Sequence, residues 1–198
     1  MGPNTTPGVI DMIKRIARAM LRLIRWRLDG ELPPHPKMVV VAAPHTSNWD
    51  FPLAMVVAPA LGVRIRWLGK HTLFRKPYAW FFRMLGGIPV NRGKAAGIIG
   101  QSVAAFDAVD ELVLVITPEG TRSKREYWKS GFYRIATAAA VPIVLVGVDG
   151  EKKTIRIGPD FIPSGDVKQD MDRVRAFIGG NQGIKPERIG PIRLRDEE

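Results

Sequence analysis

With 198 residues, 45% of them hydrophobic, the chain is long enough to bury a core and short enough to form one domain. It contains no cysteine, which excludes a disulfide, a thiolate nucleophile and a cysteine-held metal. The excess of 30 Lys and Arg over 19 Asp and Glu gives a formal net charge of +11, which favours an anionic partner: nucleic acid, an acidic membrane surface, or a phosphorylated substrate or carrier.

From Val9 to Leu28, Val9, Ile13, Ile16, Met20, Leu23 and Ile24 recur at helical spacing, with Lys14, Arg15, Arg18, Arg22 and Arg25 filling much of the rest. This basic amphipathic helix has two readings: a first helix packed on the domain, or one lying in an anionic membrane interface and anchored by Trp26. Asp29-Gly30 and the Pro33-Pro34-His35-Pro36 cluster end it, with His35 read as a loop residue. No apolar run approaches the roughly 20 residues needed to span a bilayer, so the expected location is peripheral or monotopic, on the cytoplasmic face of a membrane.

The β-branched run Met38-Val39-Val40-Val41 reads as a strand, followed by Ala43-Pro44-His45-Thr46-Ser47-Asn48-Trp49-Asp50 and then an apolar helix from Phe51 to Leu61. Five positions apart, His45 and Asp50 lie about 140° apart around a helix and on opposite faces of a strand, so only a turn lets them meet. If they do, the carboxylate accepts one imidazole N–H and leaves the other ring nitrogen free to take a proton. Alone, the pair reads more readily as a loop histidine and a helix cap.

Val63 to Leu68 alternates as a half-buried strand would, and Phe74 to Met84 is dense in aromatics, with Arg75, Lys76 and Arg83 among them. That segment suits core packing, or a lipid interface or acyl-chain groove. Gly87-Ile88-Pro89-Val90-Asn91-Arg92 gives a strand ending in an arginine able to grip a phosphate. The Gly93-Lys94 pair that follows lacks P-loop spacing. Leu112 to Ile116 is a continuous apolar strand, entering the polar loop Thr117-Pro118-Glu119-Gly120-Thr121-Arg122-Ser123-Lys124, which is suited to an anionic substrate. A helix through Ala140, a buried strand over Pro142–Val148, an edge strand over Thr154–Ile157 and a last helix over Val167–Ile178 complete an α/β pattern. The expected fold is a single α/β domain whose largely parallel or mixed sheet is flanked by helices. It divides into a basic helix and linker (residues 1–36), the main domain (37–180) and a polar tail (181–198).

Four of these stretches, in this order between His45 and Val148, resemble the motifs of the glycerolipid acyltransferase family that includes the 1-acylglycerol-3-phosphate acyltransferases. The first is His45 to Asp50, the second Gly87 to Arg92, the third Thr117-Pro118-Glu119-Gly120-Thr121-Arg122-Ser123, and the proline-led fourth Val141-Pro142-Ile143-Val144. Thr117 replaces the usual aromatic, Pro89 an aromatic or aliphatic residue, and Leu145 a frequent second proline. The resemblance implies acyl transfer from acyl-CoA or acyl carrier protein to a lysophospholipid hydroxyl, with His45 as base and Asp50 as its orienting partner. It implies an acceptor site formed by Arg92, Glu119, Gly120, Thr121 and Arg122. Glu119 is expected to position a hydroxyl or an arginine, and backbone N–H groups near Gly120 to support the oxyanion. The family's habit of membrane attachment favours the interfacial reading of the first helix.

No cofactor is expected beyond the thioester co-substrate, and no metal, since His35, His45 and His71 lack ligand spacing. No nucleic acid is expected as partner. The alternatives are a basic membrane- or nucleic-acid-binding module without catalysis, or a lipid ester hydrolase, for which Ser47 lacks the Gly-x-Ser-x-Gly elbow.

Overall fold

A computed structural model describes residues 7–90 and 95–197. The first helix, α1 (Pro7–Leu23), stops short of the Leu28 that hydrophobic spacing predicts. Arg25 takes a left-handed φ of 62° and the Trp26 N–H closes back on the Leu21 carbonyl, which ends the helix. Trp26 therefore packs against the core beside Leu21 instead of standing out as an interfacial anchor. The chain continues into the three-residue strand β1 (Arg27–Asp29).

There follow β2 (Lys37–Ala43), α2 (Asp50–Leu61), β3 (Ile65–Lys70), a 3-10 turn, α3 (Ala79–Met84) and β4 (Gly87–Val90). Next come α4 (Ala95–Asp107), β5 (Leu112–Ile116), α5 (Gly131–Ala138), β6 (Ile143–Asp149), β7 (Thr154–Phe161) and α6 (Val167–Ile178). The seven strands form one sheet in the order β1-β7-β6-β2-β5-β3-β4, parallel throughout except where β6 meets β7. The segment from Thr154 is thus a longer, interior strand. The edge beside it is β1, too short to read from sequence.

Strand β2 is buried on both sides, and its alternation divides the core in two. Val39, Val41 and Ala43 point to one face, where they pack with Phe106 of α4, Phe132 and Ile135 of α5, and Met171 and Val174 of α6. Met38 and Val40 point to the other, against Leu53, Val57 and Ala60 of α2 and Ala17 and Leu21 of α1. At the far end of the sheet Trp67 gathers Phe51, Phe74 and Phe82 in edge-to-face and tilted contacts, which seats the 3-10 turn and α3. His35 is no plain loop residue, because its Nε2 pairs with Asp160 of β7; that contact holds the Asp160 carboxyl below its usual range.

Phe132 has no exposed surface and sits where α5 leaves the polar loop after β5. Truncation to alanine is expected to cost about 3–5 kcal/mol. Chemical denaturation of Phe132→Ala against the parent checks this, through a lower midpoint at unchanged slope.

Candidate active site

The parallel pairing of β2 with β5 places Val41 opposite Ile116, so the loops that follow the two strands emerge side by side at the same end of the sheet. The first carries His45, the second Glu119. The turn after Ala43 brings His45 Nδ1 to 2.8 Å from Asp50 Oδ2, at the start of α2. That same oxygen accepts the Thr46 and Ser47 N–H groups, each at 2.9 Å. Two backbone N–H groups already donate to this oxygen, so it faces Nδ1 as an acceptor and favours the tautomer that carries the imidazole proton on Nδ1. Nε2 is left as the basic nitrogen, with no partner among the described residues.

Glu119 closes the arrangement from the neighbouring strand. Its Oε1 accepts the His45 N–H at 2.9 Å. Burial pushes its carboxyl above the usual range, and the His45 N–H bond opposes that push without cancelling it. Its observed partner is therefore the backbone of His45, where the sequence led to a substrate hydroxyl or an arginine. Gly120, at a left-handed φ of 63°, lets the Lys129 side chain lie close over it; a Cβ there would meet that chain at 2.9 Å. The Gly120 N–H donates to the Thr117 carbonyl, so it serves the turn and not an oxyanion. The Thr121 hydroxyl likewise accepts the Ser123 N–H.

His45, Asp50, Gly120 and Arg122 line an open cavity of about 1030 Å³ that continues along apolar side chains including Phe51, Leu53 and Phe82. Glu119 and Thr46 instead line a separate cavity of about 30 Å³ behind the loop. Arg92 lies outside the described residues. The rim of the large cavity also carries Lys129, Arg134 and Arg195. Arg134 is held by Asp196 at 2.8 Å, whereas Arg195 stacks over Tyr127. Arg195 arrives from the far end of the chain, and no local pattern marked it. Among the described residues no cluster of His, Asp or Glu could hold a metal ion. The arrangement can take a proton from a hydroxyl beside a cationic rim and an apolar channel.

No curated protein matches the sequence. Among solved structures, the crystal structure of the 1-acyl-sn-glycerophosphate (LPA) acyltransferase PlsC from Thermotoga maritima is similar, with a TM-score of 0.56 at 19% identity. The match covers 79% of this chain and 70% of that one, a likeness of fold. The Acyltransferase family profile matches residues 25–149, a span that contains the His45–Asp50 pair and the Glu119–Arg122 loop. The chain belongs to the acyltransferase family.

Proposed function

We propose that this protein transfers a fatty acyl group from a thioester, acyl-CoA or acyl carrier protein, to a hydroxyl of a lysophospholipid, with 1-acylglycerol 3-phosphate the leading acceptor. The observation that carries this reading is the Nδ1–Asp50 bond, which leaves a basic Nε2 at a cavity both apolar and cationic. Nε2 takes the acceptor's proton as its oxygen attacks the thioester carbonyl, and Asp50 stabilises the imidazolium. The tetrahedral intermediate then collapses, the C–S bond breaks, and the leaving thiolate recovers the proton. Arg122 on the rim suits the acceptor phosphate, and Arg92 takes the same role by its motif position. The fold's similarity to a 1-acyl-sn-glycerophosphate acyltransferase supports this choice of acceptor.

Helix α1 supports a peripheral site of action at an anionic membrane. Among its described side chains it turns only Ala17 and Leu21 fully inward, while Met12, Ile13, Ile16, Met20 and Leu23 are exposed, Leu23 by 84%. Lys14, Arg15, Arg18 and Arg22 share the helix with that row, Lys14 lying beside Gly62 and Arg18 donating to the Ala60 carbonyl at the end of α2. Near the catalytic loop Trp49 is 71% exposed, and α3 exposes Trp80 and Met84. No helix among the described residues is long and apolar enough to cross a membrane.

Purified protein given palmitoyl-CoA should release thiol only when lysophosphatidic acid is present, with the product lipid visible by mass spectrometry. His45→Ala should lower that rate about 100- to 10,000-fold. Arg122→Ala should raise the acceptor KM with kcat nearly unchanged. Thiol release independent of acceptor would mean a hydrolase instead.

Double replacement of Ile16 and Met20 by Glu should cut cosedimentation with phosphatidylglycerol vesicles at least about tenfold, since both side chains are exposed and outside the buried core. Binding by the unmodified protein should also fall with added salt.

Glu119→Gln keeps an acceptor for the His45 N–H and removes a carboxyl that burial disfavours in its charged form. Because the folded-state pKa is raised, the stability held by the neutral carboxyl is present at low pH and lost as pH rises through that pKa. Glu119→Gln should therefore melt higher than the parent at about pH 8, and the gap should close near about pH 4. Thermal melts at the two pH values check this.

A further inference from the structure

Beyond the family match, which ends at residue 149, the chain returns to the back of the catalytic loop. Gly183 pairs with the end of β6, its N–H on the Val148 carbonyl at 2.9 Å and its carbonyl taking the Gly150 N–H at 2.9 Å. From that anchor the Lys185 N–H donates to Thr46 Oγ1 at 2.9 Å, and Arg188 Nη1 reaches the Thr46 carbonyl at 3.4 Å. Gly183 itself, at φ 62°, packs so closely that a Cβ would stand 2.8 Å from Thr46 Oγ1. Thr46 is 1% exposed and gives its own N–H to Asp50 Oδ2, the oxygen that also receives His45 Nδ1–H.

We infer that residues 183–188 form a strap that sets the catalytic pair from behind, with Thr46 as the positioning residue. The coupling runs from the strap to Thr46, from Thr46 to the Asp50 carboxylate, and from Asp50 to the imidazole. Thr46 touches neither the large cavity nor any substrate placed in it, so its effect passes through the orientation of Asp50 and His45. A side chain on the strap's anchor would push Thr46 out of register, and loss of the Thr46 hydroxyl would leave the Lys185 N–H without its acceptor. Displacement of a general base by even about 1 Å from its productive geometry can cost about 100-fold in rate.

The inference rests on His45 being the base, and the test separates the two. Thr46→Val keeps side-chain shape and removes the acceptor, Thr46→Ser restores it, and Arg188→Met removes the part-buried contact to the Thr46 carbonyl together with a 3.9 Å surface pairing to Glu187. Each full-length variant is assayed for lysophosphatidic acid-dependent thiol release from palmitoyl-CoA, and the His45 Nδ1–H proton resonance is followed by NMR. The expected result is about a tenfold or larger fall in kcat for Thr46→Val, with the acceptor KM within about twofold. The Nδ1–H resonance should be shifted or exchange-broadened, and Thr46→Ser should recover both readouts. Arg188→Met, which carries no risk to the core, should lower kcat by a smaller factor in the same direction. Parent-like kcat and an unmoved resonance in both Thr46→Val and Arg188→Met would overturn the strap. If the parent transfers no acyl group from either donor, the function fails, and the resonance alone then decides the strap.

Discussion

Three N–H groups converging on one oxygen of Asp50 hold the site together. Two come from the backbone of the loop after β2 and one from the histidine that the loop presents, so the carboxylate fixes the loop's path and the ring's tautomer at once. Because Asp50 is also the first residue of α2, its position is set by how that helix lies on the sheet through Leu53 and Val57. The packing of one helix thus fixes the orientation of one imidazole. The parallel register of β2 with β5 adds Glu119 from the side, clasping the histidine's own N–H.

Charge is distributed unevenly around this centre. The acids of the site are turned inward and used to hold backbone, while Arg122, Lys129 and Arg195 stand at the rim of the cavity. With a formal net charge of +11 on the whole chain, the field at that opening favours an anionic ligand before any contact forms. The same cavity runs along the apolar side chains of Phe51, Leu53 and Phe82, so cationic and apolar surfaces meet in one space.

Much of this was legible in the sequence because it is local. A β-branched run, a His and an Asp separated by a turn, and a polar loop after a second apolar strand define the central pair of strands and the bonded His45–Asp50 pair. The readings that changed depend on distant contacts. The first helix ends early because Trp26 is drawn into a core that hydrophobic spacing along α1 does not reveal. Glu119 looked like a substrate ligand, since nothing near it in sequence shows that β2 will bring the His45 N–H within 2.9 Å. Of the backbone N–H groups near Gly120 that the sequence offered to an oxyanion, the one on Gly120 itself is taken by the Thr117 carbonyl, a pairing set by the turn. Thr46, Lys185 and Arg195 matter through pairings separated by much of the chain's length, and such pairings leave no periodicity to read.

The two margins of the sheet bear on how a second molecule could pair with its backbone, while α1 carries bare apolar side chains. At one margin stands β1, only three residues long; at the other stands β4, four residues with Pro89 among them. Neither offers a long row of free N–H and C=O groups to which a second molecule could add a strand. Both described edges are therefore poor templates for backbone pairing with a second molecule. Exposed apolar side chains instead gather along the outer row of α1, whose helical backbone groups offer a neighbouring molecule no strand template.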